Sequence, residues 1–296
     1  MGRVMNTLKM NAKKIKHYLS YLPYFVYKPK LRQNVSNPKL IVSLTSYPER
    51  IGCLPIVCGS LIRQTMKPDA IMLYLSKEQF KEQENPILRS LEKQGVTIIM
   101  VDDDLKSHKK YFYCMQEFNN SIIITVDDDI VYDKHMIEDL YKSYLLHPRA
   151  VSAKRVHGIR FDANNKVLPY NEWEYQKIDK IDVEDFLLIA TGCGGVLYPP
   201  HILNEKCFDV CAIKETCLQA DDLWLKVMEL LNGVPVVLAK SRNYKLRNVW
   251  GTLSNGLAQN NVERNQNDLQ LQSICSYMEK GLFNMIDEAL KCEKLV

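Results

Sequence analysis

From residue 40 the chain alternates short, continuously apolar runs with longer stretches whose apolar residues recur every three or four positions. LIVSLTS (40–46), AIMLYLS (70–76), VTIIMV (96–101) and SIIITV (121–126) predict strands covered on both faces. Between the first two, Leu54, Val57, Cys58, Leu61 and Ile62 share a helical face that stops near Lys67-Pro68. Polar 77–94 predicts a helix closed by Gly95. Ser107 is expected to cap HKKYFYCMQEF, and Asp133 to cap KHMIEDLYKSYLL, which Pro148 closes. After residue 150 an irregular, aromatic stretch (155–180) precedes DFLLIATGCGGVLYPP (185–200). A helix from QADDLWLKVMELL (219–231), a strand VPVVLAK (234–240) and a helical tail from 262 follow. Strand–helix–strand repetition of this kind predicts an α/β fold with a mainly parallel central sheet flanked by helices, and helical N- and C-terminal extensions. In such sheets the ligand crevice lies outside the carboxyl ends of the strands.

Charge changes the picture at the N-terminus. The first 39 residues carry nine Lys/Arg and no Asp or Glu, within a chain whose net charge is only +4, so the remainder is net acidic. Val4, Leu8, Ile15, Leu19 and Leu22 recur at helical spacing, with Lys9, Lys13, Lys14 and Lys16 largely elsewhere on the helix and Tyr18, Tyr21, Tyr24, Phe25 and Tyr27 following. A basic amphipathic helix with aromatics fits an anionic membrane surface, through residues 1–30; it equally fits a helix packed on its own domain. The acidic body and the lack of a nucleic-acid motif argue against nucleic acid as partner. There is no run of 18 apolar residues and no apolar leader with a small-residue cleavage site. The nine cysteines follow no zinc spacing, Cys207, Cys211 and Cys217 included. Reduced thiols and a cytoplasmic location, peripheral on the inner face of the plasma membrane, are therefore expected.

The candidate chemistry is carboxylate. Asp127, Asp128 and Asp129 follow the fourth strand, and Asp102, Asp103 and Asp104 follow the third. Adjacent anions are tolerated in water or around a cation, and a hard divalent cation takes such oxygens while leaving positions for water and phosphate. On an extended chain Asp127 and Asp129 point one way and Asp128 the other, so Asp127 and Asp129 are expected to share a cation. Lys109 and Lys110 at a helix start suit a diphosphate. Gly192, Gly194 and Gly195 allow close backbone approach, and Asp221 and Asp222 form a further acid pair at a helix start. Both triplets and TSYPER (45–50) are expected to face one crevice.

In this order VSLTSYPER, the basic helix start, VDDD, the GG loop and the acid pair before Leu-Trp-Leu resemble the GT-A fold glycosyltransferases, near glycosyltransferase family 2 of the bacterial surface-polysaccharide type, over about residues 40–245. The resemblance implies a nucleotide-diphosphate sugar donor, Mn²⁺ or Mg²⁺ as cofactor, and transfer to a saccharide or lipid-linked saccharide hydroxyl. It implies a basic arm (1–39), a nucleotide-sugar-binding half ending in the DXD element (40–150), an acceptor and catalytic half (151–245) and a helical C-terminal extension (246–296). Position by position it implies Asp129 and Asp127 as metal ligands. Thr45, Tyr47, Arg50, Asp102, Lys109, Lys110, Asp127, Asp128, Gly194 and Gly195 become donor contacts, and Asp222, with Asp221 beside it, the base of an inverting transfer. Arg155, His157, Arg160, Trp173 and Trp250 are candidate acceptor contacts.

Two positions depart from the pattern: Leu75-Ser76-Lys77 replaces the nucleoside-side Asp, and no histidine follows His201, leaving Asp268 or water to complete a metal shell. A nucleotidyltransferase or other phosphoryl-transfer enzyme, and a non-catalytic membrane-associated binding module, are the competing readings. The first lacks its usual glycine- and lysine-rich loop in TSYPERIG, and the second leaves the acid clusters without a purpose.

Overall fold

A computed structural model describes residues 19–26, 38–80, 85–241, 245–252 and 265–293. Most of the basic N-terminal arm lies outside the described residues. The fold is mixed α/β, an eight-stranded, mostly parallel sheet with helices on both faces and order β3-β2-β1-β4-β9-β5-β10-β7. The strands are β1 (Leu40–Thr45), β2 (Ala70–Ser76), β3 (Val96–Val101), β4 (Ile122–Thr125), β5 (Val151–Ala153), β7 (Glu184–Asp185), β9 (Val196–Tyr198) and β10 (Val236–Leu238). A separate antiparallel pair joins β6 (Val156–Gly158) to β8 (Leu188–Ala190). β1 to β4 are mutually parallel, as their apolar runs require, while β9 runs antiparallel between β4 and β5.

The helices are α1 (Leu22–Val26), α2 (Leu54–Ile62), α3 (Pro86–Glu92), α4 (Lys109–Glu117), α5 (Met136–Leu146), α6 (Val210–Thr216), α7 (Asp221–Leu231), α8 (Gln266–Tyr277) and α9 (Leu282–Glu293). One core gathers α1, α2 and α5 with β1, β2 and β4. A second gathers α6 to α9 with β5, β8, β9 and β10. α2 is buried on almost every side because α1 covers its outer face. Gly59 permits that approach: a Cβ there would meet Tyr24 Cβ at 2.8 Å.

The helix expected over 77–94 is shorter than its polar pattern suggested. It starts only at Pro86, with the Asn85 side chain accepting from Ile87 N–H at 2.9 Å. Proline at the first helical position behind an asparagine cap is a start signal that outweighs helical composition upstream. Ser107 lies inside a short 3-10 turn (Lys106–His108) that leads into α4 and makes no capping bond to that helix. Asp133 does accept from His135 N–H, at 2.9 Å, just before α5.

Candidate active site

The sheet order places β2 and β3 on one side of β1 and β4 on the other, so the chain reverses direction across the sheet between β1 and β4. That reversal opens a crevice at the carboxyl ends of the two strands. The loop after β1 carries Ser46, Tyr47 and Arg50, and the loop after β4 carries Asp127 to Asp129.

The triplet does not continue the strand. Val126 N–H still bonds to Ser43 O at 3.0 Å, but Asp128 and Asp129 form a turn, so strand alternation lapses. Asp127 meets Lys110 Nζ at 2.7 Å, and its backbone N–H donates to the Tyr132 hydroxyl at 2.7 Å. Asp128 and Asp129 instead share Arg50, whose Nη1 lies 2.5 Å from Asp129 and 3.9 Å from Asp128. Ser46 Oγ donates to Asp128 at 2.5 Å. Arg50 is buried, its other nitrogens donating to the Tyr47 hydroxyl (3.1 Å) and Thr252 O (3.1 Å). Burial pushes the Asp128 carboxyl up to about 7 against the pull of Ser46, and burial and Asp127 push Asp129 up against Arg50.

Lys110 ties this loop to the acid pair. Its ammonium lies 2.9 Å from Asp221 Oδ2 as well as 2.7 Å from Asp127, and its side chain is 4% exposed. Ala220 holds the N-cap position of α7, so neither aspartate caps its own helix. Asp222 accepts from Gly192 N–H, at 3.1 and 3.3 Å to its two oxygens. Burial and the adjacent Asp221 push Asp222 up to about 8, while burial is more than offset at Asp221 by Lys110 and His108, which hold it low. Burial works against the charged form of Lys110, but Asp127, Asp221 and Asp222 keep it well above the ordinary lysine range. Gly192 closes the cluster: a Cβ there would lie 2.7 Å from Lys110 Nζ and 3.3 Å from both Asp127 and Asp222.

The other expected residues fall elsewhere. The first triplet does not share ion pairs with the second among the described residues. Asp102 is exposed and pairs with Lys77 at 2.7 Å, Asp103 pairs with Lys214 at 2.7 Å, and Asp104 holds Lys106 and Lys109. β3 is the edge strand, separated from β4 by β2 and β1, and the two triplets are held by different cations. Thr45 donates to Tyr74 O at 2.8 Å and locks the ends of β1 and β2. Gly194 lies against Arg155, 2.8 Å from a Cβ it would carry to Arg155 Cβ; Gly195 adopts φ +90 beside Met136.

Arg155 lies over the Tyr175 ring at 4.8 Å and donates to Thr191 Oγ1 at 2.9 Å, and His157 stacks on the same ring at 4.7 Å. Trp173 is a core residue, 6% exposed, its indole donating to Leu168 O at 2.8 Å; this removes it as a sugar platform. Arg160 sits 3.5 Å from Glu172 O, and Trp250 is 40% exposed. Asp268 accepts from Tyr170 N–H at 2.7 Å through one of its oxygens. The cysteines among the described residues are free thiols. Ser46, Tyr132 and the specific role of Gly192 escaped the sequence reading, although Tyr132 stands only five residues after Asp127 in ITVDDDIVY.

The carboxylates fit a hard divalent cation in their chemistry. Asp127 and Asp129 keep side-chain exposures of 32% and 19%, and burial makes the charged forms of Asp128 and Asp129 costly enough for a cation to relieve. No group of three His, Cys, Asp or Glu converges on one point among the described residues, so water and a ligand phosphate would complete a shell. An open apolar cleft of about 410 Å³ between β3 and α4, lined by Tyr74, Ile99, Phe112 and Tyr113, holds none of these aspartates.

No family model matches this chain, and no curated protein matches it. Among solved structures, the mannosyltransferase PcManGT from Pyrobaculum calidifontis, in complex with GDP-Man and Mn²⁺, overlays at a TM-score of 0.49 and 8% sequence identity. The match spans 97% of this chain and 78% of that one.

Proposed function

We propose that the chain is a GT-A-like, metal-dependent, inverting glycosyltransferase that moves a sugar from a nucleotide-diphosphate donor to an acceptor hydroxyl. The observation that carries the reading is the Lys110 bridge. One buried ammonium joins the acidic loop after β4 to the acid pair opening α7, at the sheet's reversal point. That arrangement ties a donor-side carboxylate, Asp127, through one cation to Asp221, the immediate neighbour of the proton-accepting Asp222. A divalent ion held by Asp127 and Asp129, Mn²⁺ or Mg²⁺, would offset charge on the departing diphosphate.

Asp222 is the base. It removes the acceptor hydroxyl proton as that oxygen attacks the anomeric carbon, while the bond from this carbon to the diphosphate oxygen breaks and its electron pair leaves with the nucleoside diphosphate. Gly192 N–H orients the Asp222 carboxyl group, and Asp221, kept ionised by Lys110, raises the affinity of Asp222 for the proton it takes up. Arg50 holds Asp128 and Asp129 in register. Arg155 and Tyr175 stand on the acceptor side of the reading. Bacterial surface-polysaccharide or glycolipid synthesis is the setting that suits a sugar donor and a basic arm.

The test is Asp222→Asn. The amide oxygen can still accept from Gly192 N–H, so nucleotide affinity should stay within about twofold while turnover falls by roughly 10²–10⁴-fold. Donor affinity and turnover falling together would remove Asp222 from the role of base.

A further inference from the structure

The described part of the N-terminal arm is docked, and its docking leaves an apolar face outward. Tyr21 is 1% exposed, lies beneath the Arg247 guanidinium at 5.4 Å, and its hydroxyl accepts from Trp250 N–H at 3.1 Å. Arg63 donates to Pro23 O at 2.6 Å and lies over the Tyr24 ring at 5.7 Å. With Tyr21 turned inward, Leu19 and Leu22 are 58% and 50% exposed, and Trp250, whose backbone N–H meets the Tyr21 hydroxyl, is 40% exposed. Large apolar side chains flanked by arginines make an amphipathic surface rather than a solvated one.

Two further facts identify what this surface fits. The sequence on either side of residues 19–26 brings Lys9, Lys13, Lys14, Lys16, Lys28, Lys30 and Arg32, with no acidic residue through position 39. The segment that carries Arg247 and Trp250 is also bonded to the acidic loop: Val131 N–H donates to Arg247 O at 2.8 Å, and Val249 N–H to Asp129 O at 2.7 Å. We propose that the face formed by Leu19, Leu22, Trp250, Arg63 and Arg247 docks on an anionic membrane surface. Its apolar side chains enter the interface and its basic residues meet the phosphate-bearing headgroups. Docking there sets the crevice beside the bilayer. On the glycosyl-transfer reading, the acceptor is then a hydroxyl presented at the membrane, as on a lipid-linked saccharide.

The test uses the full chain with vesicles of phosphatidylcholine alone, or of equal parts phosphatidylcholine and phosphatidylglycerol, and no donor. It therefore stands or falls separately from transfer activity. Trp173 and Trp224 are buried, so of the three tryptophans Trp250 is the one that lipid can reach. Bromine-labelled acyl chains should quench its fluorescence. Co-sedimentation should be at least about tenfold stronger with the anionic vesicles and should weaken with salt.

The double substitution Leu19→Asp/Leu22→Asp should cut binding by about tenfold or more at an unchanged melting temperature, since both side chains are half exposed or more. If that variant melts early, Lys13→Glu/Lys14→Glu/Lys16→Glu supplies the same readout from the charge side. No sedimentation with anionic vesicles would overturn the proposal. So would binding without Trp250 quenching that ignores Leu19 and Leu22, which would assign the arm to an anionic polymer such as nucleic acid.

Discussion

Gly192→Ala places a methyl group inside the Lys110 cluster. The new Cβ would stand 2.7 Å from Lys110 Nζ, where ordinary contact begins at 3.4 Å, so the ammonium must retreat by about 0.7 Å. It has little freedom to do so, being 4% exposed and held at 2.7 Å by Asp127 and 2.9 Å by Asp221. Asp127 and Asp222 oxygens at 3.3 Å close the other approaches. The retreat stretches at least one buried charge-assisted bond beyond hydrogen-bond range, a loss of about 1.5–3 kcal/mol. For a chain of this size that is a fall in Tm of roughly 2–5 °C. Displacing the groups that align donor and base by most of an ångström should also slow transfer by about 10²-fold. Differential scanning fluorimetry and donor turnover read the two effects. Gly281→Ala, where an added Cβ meets nothing within 4 Å, is the control. Parental Tm and turnover in Gly192→Ala would refute the claim that Lys110, Asp127 and Asp222 form one packed unit.

Other consequences are open to simple measurement. Lys226 and Glu229 face each other at 3.6 Å inside α7, 2% and 1% exposed. Burial pushes Glu229 up to about 7 from an ordinary 4.5, so between those values the folded state binds more protons and stability falls as pH rises. Lys226→Met should therefore lose roughly 3–5 kcal/mol at pH ~8 in urea unfolding and much less at pH ~5; equal losses at the two pH values would contradict a buried pair. Gly59→Ala should force Tyr24 outward, with about 1–3 kcal/mol of overpacking and faster proteolysis within residues 19–26. An unchanged proteolysis pattern would mean that α1 is not seated on α2.

The four parallel strands were legible because each is apolar at almost every position; β1, β2 and β4 are buried on both faces as that pattern implies, while the edge strand β3 leaves Thr97 and Met100 exposed. β9 was not: three residues after TGCGG insert antiparallel between β4 and β5, and that choice depends on pairing across the fold rather than on local pattern. The site divides in the same way. Asp127, Lys110, Asp221 and Asp222 all stood out in the sequence, as acids behind a strand, a basic helix start and an acid pair at a helix start. Their mutual contacts did not, since Lys110 is separated from Asp221 by more than a hundred residues. Local reasoning about helix termini offered Lys110 to a diphosphate, whereas the fold gives its charge to two carboxylates. Asp102 was read into the crevice from its place behind a strand; its exposed pairing with Lys77 at the end of an edge strand depends on strand order, which local pattern does not carry.

The most direct test of the account is a thermal-shift panel of UDP, GDP, CMP and dTDP with their sugars, each with and without Mn²⁺, on the parent and on Asp129→Ala. A ligand that binds only the folded protein adds about 2.7 kcal/mol of stability at a hundredfold excess over its Kd. The account predicts a Mn²⁺-dependent rise in Tm with one nucleotide diphosphate and its sugar, absent in Asp129→Ala. A folded parent protein that responds to none of them would contradict the nucleotide-sugar site.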